Sequence, residues 1–287
     1  MGVNLRPAVE ADAEACGRII HEAFKGIAER HGFPPDFPTE EAGRWVASFL
    51  IGHPSVFGVV AEDDGRVVGS NFLDERNPIR GVGPIAVDPN SQARGIGRRL
   101  MQTVLERGQG APGIRLIQDA FNSRSMSLYA SLGFDVREPL ALVNGTPQSL
   151  PSAGVEVRHM KAEDLEPCAH LCSKLHKFER VNELQDAVKR LAPFVVLRRG
   201  RVTAYCTAAT FWPLNHGVAE TESDMKELLM GAGVQSVEPL AFLLPTREAT
   251  FFRWCLSEGF RVVKPLTLMA IGEYQEPRGC WFPSVLY

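Results

Sequence analysis

The sequence predicts an α/β protein built as two tandem copies of one fold, and three observations predict it. The first is a strand, a tight loop and a helix start in succession: the apolar run Ile85-Ala86-Val87 ends at Asp88-Pro89, the chain turns through Gln92 to Gly97, and Leu100, Met101, Val104 and Leu105 follow at helical spacing. The second is an internal repeat whose order is kept across the two halves. The third is size, because 287 residues with 45% apolar content supply two packed cores.

In chain order, Leu5-Arg6 with Asp12 and Cys16 reads as a short strand and then a helix, and it recurs at an offset of 152 as Val157-Arg158 with Asp164 and Cys168. After the first helix, HGFPPDFPTEEAGRWV reads as an aromatic loop stiffened by prolines. Val59-Val60-Ala61 before Gly65-Arg66-Val67 is a strand, a turn and a strand, echoed by Val195-Val196-Leu197 before Gly200-Arg201-Val202. Leu132-Gly133-Phe134 with Pro139-Leu140 recurs at offset 126 as Glu258-Gly259-Phe260 with Pro265-Leu266. Turn formers collect in NGTPQSLPSAG, so the units divide as 1–145 and 154–287.

The glycine loop carries the chemistry. Gly95 and Gly97 have no Cβ, so the backbone can turn sharply and consecutive N–H groups can converge with a helix N-terminal dipole on one point, where phosphate binds. The spacing Q-x-x-G-x-G is neither the Walker loop nor the dinucleotide G-x-G-x-x-G. With Val87, Pro89, Gln92, Gly95 and Gly97 in place, it resembles the pyrophosphate loop of the GNAT N-acetyltransferase superfamily, V-x-P-x-x-[RQ]-x-x-G-[IV]-G. Downstream, NSRSMSLYASLGFDV, with Asn122 seven residues before Tyr129, looks like the fourth helix and following strand of that superfamily.

The resemblance implies that each unit is a mixed, mostly antiparallel central sheet flanked by helices, and that the first unit binds acetyl-CoA. It implies a cofactor site of Ile85, Ala86 and Val87 along the strand, Gln92, Ala93, Arg94, Gly95, Ile96, Gly97, Arg98 and Arg99 in the loop and helix start, and Asn122 and Tyr129 beyond. Tyr129 resembles the residue that returns a proton to the departing sulfur, a role suited to a phenol held near a thiolate. An N–H near Val87 would meet the thioester oxygen as charge develops there.

The sequence departs from the superfamily at the base. Many members carry a Glu eleven residues ahead of the Gln92 position, and here that residue is Gly81, with no acidic residue from Asn77 to Val87. The amine proton must leave by water, through Asp74 or Glu75, or through a group such as His21, Glu22, Glu29 or His31; Glu75 is the residue named for the task. Phe33 and Phe37 in the aromatic loop are the candidate walls of the acceptor pocket, where Asp36, Glu40 and Glu41 would suit a cationic amine or simply be solvated.

The second unit lacks the loop. Between CTAATFW and LAFLL the chain reads NHGVAETESDMKELLMGAG, and alignment on the Gly-Phe pair sets Cys255 at the Tyr129 position and Glu248 at the Asn122 position. It reads as a degenerate copy. Cys168, Cys172 and His176 at four-residue spacing match a metal face, but they align with Cys16, Ile20 and Phe24 and read as a buried stripe, so no metal is expected. The apolar tail with Trp281, Phe282, Leu286 and Tyr287 calls for a groove, either on the second unit or in the acceptor cleft near His216 or Glu220.

A net charge of −3 and a pI near 6.2 give no field for nucleic acid. Six cysteines form no C-x-x-C pair, MGVNLRPAVEADAE has no apolar signal region or myristoylation site, and no apolar run spans a bilayer, so the expected setting is reduced and cytoplasmic. The expected activity is direct transfer of an acetyl group from acetyl-CoA to the amine of a small molecule, by a monomer or homodimer. The alternatives are a non-catalytic acyl-CoA sensor and a protein N-acetyltransferase acting on lysines or N-termini.

Overall fold

The computed structural model describes residues 2–92 and 94–286. The first half opens with β1 (Asn4–Pro7), α1 (Ala13–Arg30), α2 (Glu40–Ile51), β2 (Val56–Asp63), β3 (Arg66–Asp74), β4 (Arg80–Val82) and β5 (Ala86–Val87). It continues through α3 (Ile96–Arg107), β6 (Gly113–Asp119), α4 (Ser123–Ser131) and β7 (Asp135–Gly145). The second half repeats the order with β8 (Glu156–His159), α5 (Leu165–His176), α6 (Val181–Arg190), β9 (Phe194–Arg198), β10 (Arg201–Cys206) and β11 (Gly217–Ala219). It closes with α7 (Glu222–Gln235), β12 (Leu240–Pro245), α8 (Ala249–Ser257), β13 (Arg261–Gly272) and β14 (Cys280–Phe282).

The echoes in the sequence are structural echoes. In β1 and its turn, Arg6 grips Asp12 with two nitrogens at 2.7 and 2.9 Å while the Val9 amide donates to the same carboxylate. In β8 and its turn, Arg158 grips Asp164 at 2.6 and 2.9 Å while the Lys161 amide donates in the same way. Each carboxylate thus ties off a strand-to-helix corner and neutralises its own strand arginine.

The described residues form two sheets, mixed and mostly antiparallel. The larger runs β1-β2-β3-β4-β6-β13-β7-β12, with β5 pairing β3 alone, and the smaller runs β14-β11-β10-β9-β8. The β4–β6 ladder is parallel and every other pairing is antiparallel. The two halves are interleaved: β13 of the second lies between β6 and β7 of the first, and β7 in turn pairs β12 of the second. Leu140 and Leu142 on β7, Leu243 on β12, Leu266 and Leu268 on β13 and Trp281 form one apolar cluster across this seam.

The sheet of the first half is covered on both faces. Val59 and Ala61 on β2 pack with Ile96, Leu100, Met101 and Val104 of α3, while the intervening Val60 packs with Cys16, Ile19 and Ile20 of α1 and Ala47 of α2, as strand alternation requires. Helices α1 and α2 touch at glycines: a Cβ on Gly43 would lie 2.2 Å from the Gly17 carbonyl oxygen.

Two expectations are corrected here. The aromatic loop is shorter than its sequence suggests, because Thr39 accepts a hydrogen bond from the Ala42 amide and starts α2 at Glu40, so only His31 to Thr39 are irregular. The choice posed for the tail resolves to both grooves. Phe282 enters the core of the second half and Trp281 the seam, yet Leu286 joins the α1–α2 core of the first half; Tyr287 lies outside the described residues. Cys168 and Cys172 are buried in the apolar core under α5, and no cluster of three or more metal-ligating side chains exists among the described residues.

Candidate active site

The site begins where the parallel ladder stops. β4 and β6 pair at Arg80–Ile114 and Gly81–Arg115 and no further. Beyond that point β5 is held by β3 alone, and Leu116 to Asp119 are held by β13 alone, so the two edges diverge. Residues 82–87 and 116–119 line the resulting wedge, the mouth of a cavity of about 580 Å³. Such a split leaves backbone polar groups facing a cavity rather than each other, which suits an extended ligand.

One end of the cavity is built by the glycine loop. Gly95 adopts φ +77° as the N-cap of α3, a left-handed conformation that a residue with a Cβ would hold only with strain. Among the described residues no side chain caps α3, so its first amides and its positive dipole end stand toward the cavity lined by Gly95, Ile96, Gly97 and Arg98. Among the described residues, a Cβ on Gly97 would meet Leu128 at 3.7 Å and Val87 at 3.9 Å, ordinary contacts. Gln92 braces the loop, donating to the Val87 carbonyl at 3.3 Å and accepting from Arg124 of α4 at 3.2 Å. This arrangement fits a pyrophosphate.

The corresponding place in the second half is filled by protein. Thr221 caps α7 by accepting from the Asp224 amide, and the Asp224 carboxylate accepts from Arg198, Thr203 and Thr221 at 2.5–3.0 Å. A carboxylate already occupies that helix end, which leaves it unsuited to a second anion. Cys255 stands at the Tyr129 position in the seventh residue of its helix, and it is fully buried.

Ile85, Ala86, Val87, Gln92, Gly95, Ile96, Gly97, Arg98, Asn122 and Tyr129 are brought together around the cavity. Arg94 and Arg99 are not: Arg94 pairs with Asp63 at 2.6 Å and Arg99 donates to the Val3 carbonyl at 2.7 Å. Ala93 lies outside the described residues. Asn122 caps α4, its side chain accepting from the Ser125 amide. Tyr129 is buried against Phe134, and burial pushes its phenol up to about 12, with Asp119 pushing the same way.

Glu75 is elsewhere. Its carboxylate is held by Arg107 at 2.9 Å and is not among the groups lining the cavity, so the structure does not bring it to Tyr129. The Gly81 position has a physical explanation: a Cβ there would lie 2.8 Å from the backbone of Leu286, so the tail fills the space a larger residue would need. Phe37 lines the cavity and packs edge-on against Phe24, whereas Phe33 stacks on Phe121 with centroids 4.4 Å apart.

Sequence reasoning offered the tail as a lining of the cleft, with His216 or Glu220 near it, but named no other residue of the second half. Trp212, Pro213, Leu214 and Leu266, with Val285 and Leu286 of the tail, line the same cavity. So do Asp36 and Asp119, whose carboxylates both accept from the buried Lys264 Nζ at 2.5 Å. Burial pushes Asp36 up to about 6, with Lys264 pulling it down and Asp119 pushing it up. No local motif marks a lysine on β13 as part of a site 228 residues from its partner.

Residues 21–134 match the family described as Acetyltransferase (GNAT) family. Among curated proteins, the chain is 38% identical over 78 residues to a mycothiol acetyltransferase of Thermomonospora curvata, 26% of each chain. It is 30% identical over 122 residues to the phosphinothricin N-acetyltransferase of Alcaligenes faecalis, covering 40% of this chain and 60% of that one. The chain thus spans between about a quarter and three fifths of the length of these two relatives. Among solved structures, a protein of Pyrococcus horikoshii superposes over 100% of this chain and 95% of its own with a TM-score of 0.78 at 17% identity. A tandem GNAT protein from the clavulanic acid biosynthesis pathway superposes over 96% and 100% with a TM-score of 0.61 at 13% identity, a likeness of fold.

Proposed function

We propose, from the match of residues 21–134 to the Acetyltransferase (GNAT) family, that this chain moves an acetyl group from acetyl-CoA to the amine of a small molecule. The observation that carries the proposal is the uncapped N-terminus of α3 behind Gly95, opening on the wedge between β5 and β6. The amides of Gly95 to Arg98 would hold the pyrophosphate, with Arg124 adding positive charge, and residues 84–87 would lie along the pantetheine arm. When bound, acetyl-CoA supplies an activated thioester. Tyr129, a phenol that is protonated at physiological pH and is held further from ionisation by burial, holds the proton that the departing sulfur needs. The wedge positions the reacting groups and excludes water from one side.

The units 1–145 and 154–287 then have different tasks: the first holds the donor, and the second, its helix end already filled by Asp224, walls the acceptor end. The phosphinothricin relative supports a small-molecule acceptor. The lining of the cleft by Trp212, Leu214 and the tail favours the same reading over an extended protein chain. The six buried free cysteines accord with a reducing cytoplasmic setting, and no helix among the described residues is long and apolar enough to cross a membrane.

A calorimetric titration with acetyl-CoA tests the reading. One site per chain is expected, and Gly97→Glu, which puts a carboxylate where the pyrophosphate would sit, is expected to abolish it. An unchanged affinity in that variant removes the loop assignment, and two sites per chain remove the degenerate role of the second half.

A further inference from the structure

The acceptor end of the cavity holds a charged cluster assembled from three distant stretches of chain. Asp36 comes from the irregular segment between α1 and α2, Asp119 from the end of β6, and Lys264 from β13 of the second half. Lys264 is 1% exposed, Asp36 10% and Asp119 8%, and both carboxylates line the cavity while the ammonium lies behind them, 5.5 Å from the centre of the Trp212 ring. Two carboxylates share one cation, so the ionised cluster has a net charge of about −1 by simple count, in surroundings where water screens it poorly.

We infer that Asp36 is the proton acceptor for the incoming amine and that the cluster selects acceptors arriving as cations, with Lys264 as a positioning residue lent by the second half. This rests on the acetyl-transfer reading of the same cavity. An ammonium must lose a proton before its nitrogen can attack. Asp36 takes that proton and passes it to water, the N–C bond forms and the C–S bond breaks. Tyr129 gives its phenolic proton to the sulfur and regains one from the acylated nitrogen, so one proton in total reaches solvent. The carboxylate that the superfamily pattern would set at Gly81 is excluded there by the Leu286 backbone, and Asp36 supplies one from another wall.

The charged groups around Asp36 are accounted for. Lys264 faces it from β13 and Asp119 from β6, while Glu22 and Arg30 of α1, Arg98 of α3 and Arg124 of α4 line the same cavity. His21 of α1 hydrogen-bonds the adjacent Phe37 carbonyl at 2.7 Å through its ring. Burial of Asp36 keeps it closer to neutrality than an exposed aspartate, which improves it as a base, and Lys264 keeps it ionised in the working range.

The test has two readouts on the full chain. In the first, carbonyl-labelled aspartate is titrated by carbon NMR without ligand: one carboxyl should titrate near pH 6, vanish in Asp36→Asn, and move to higher pH in Lys264→Gln because the neighbouring cation is gone. In the second, thiol release from acetyl-CoA is followed with benzylamine, putrescine, spermidine and phosphinothricin. A cationic amine should be turned over with a rate that falls below about pH 6. Asp36→Asn should cut that rate by about 10²-fold or more and lose the acid limb. Its acetyl-CoA affinity should stay within twofold, and Asp36→Glu should restore part of the rate.

Turnover of phosphinothricin, whose ammonium is outweighed by two anionic groups, but of no amine of net positive charge overturns the charge selection, and an acid limb retained in Asp36→Asn overturns the base. Thiol release from none of the amines, with acetyl-CoA still bound, removes both parts while leaving the donor site standing. Loss of acetyl-CoA binding by the wild-type chain is instead the failure of the acetyl-transfer reading. Should Lys264→Gln fail to fold, Lys264→Arg keeps the charge and is expected to keep the limb near its original position.

Discussion

At Tyr129 the local chemistry yields a sharp expectation. The phenol sits in the cavity wall with its ionisation suppressed by burial, so replacing it with phenylalanine removes a proton donor without opening space. Tyr129→Phe should lower kcat by about 10²-fold while acetyl-CoA affinity, measured by calorimetry, stays within twofold. Cys255→Ser, the same helical position in the second half, should change neither quantity. Gly81 gives the complementary case. Its missing Glu was legible in the sequence as an absence, but the reason was not, because the Leu286 backbone that occupies the space lies 205 positions away in the chain (286 − 81). Gly81→Glu should therefore not restore a base. It should displace the tail and cost about 1–3 kcal/mol of stability in urea denaturation.

Elements show how one repeat came to hold two different helix ends. The α3 end is open because Gly95 offers no side chain, and the α7 end is closed because Thr221 and Asp224 supply theirs. Thr221→Ala should cost about 1 kcal/mol by thermal unfolding and create no second acetyl-CoA site, since Asp224 remains. The paired corners Arg6–Asp12 and Arg158–Asp164 titrate together. Each arginine holds its aspartate below the ordinary carboxylate range, although burial opposes this at both, most of all at Asp164. A depressed folded value means stability that is present above about pH 3.9, the unfolded value, and lost as pH falls through the lower folded one. Asp164→Asn should lower stability at pH 7 by about 1–2 kcal/mol and flatten the acid limb of the unfolding profile. These corners and both glycine-phenylalanine turns were readable because they depend on neighbours in sequence. The start of α2 was not, since Pro-rich spacing hid the Thr39 cap.

Across the whole molecule, the two halves were legible as copies, with pairing between them one option, but the strands that pair were not legible. Strand spacing distinguishes β7 and β13 as equivalents, yet nothing in either strand tells which neighbour it will choose; that is fixed by the seam of Leu140, Leu142, Leu266 and Leu268, visible only once the strands interleave. The consequence is physical. Residues 1–150 alone would expose the β6 edge now paired with β13 and both edges of β7, and would leave Met269 missing from the core that holds Ile96 and Tyr129. Unpaired edges of this length are aggregation sites, and the wedge proposed to bind the donor would lose the strand fixing its far wall. The fragment 1–150 should therefore be poorly soluble and bind no acetyl-CoA. Coexpression with 151–287 should restore both solubility and one binding site, because the break falls in the connection between β7 and β8 and severs no ladder. A soluble 1–150 that binds acetyl-CoA with full affinity would mean that β13 is not needed to hold the cleft open, and that the second half acts only on the acceptor.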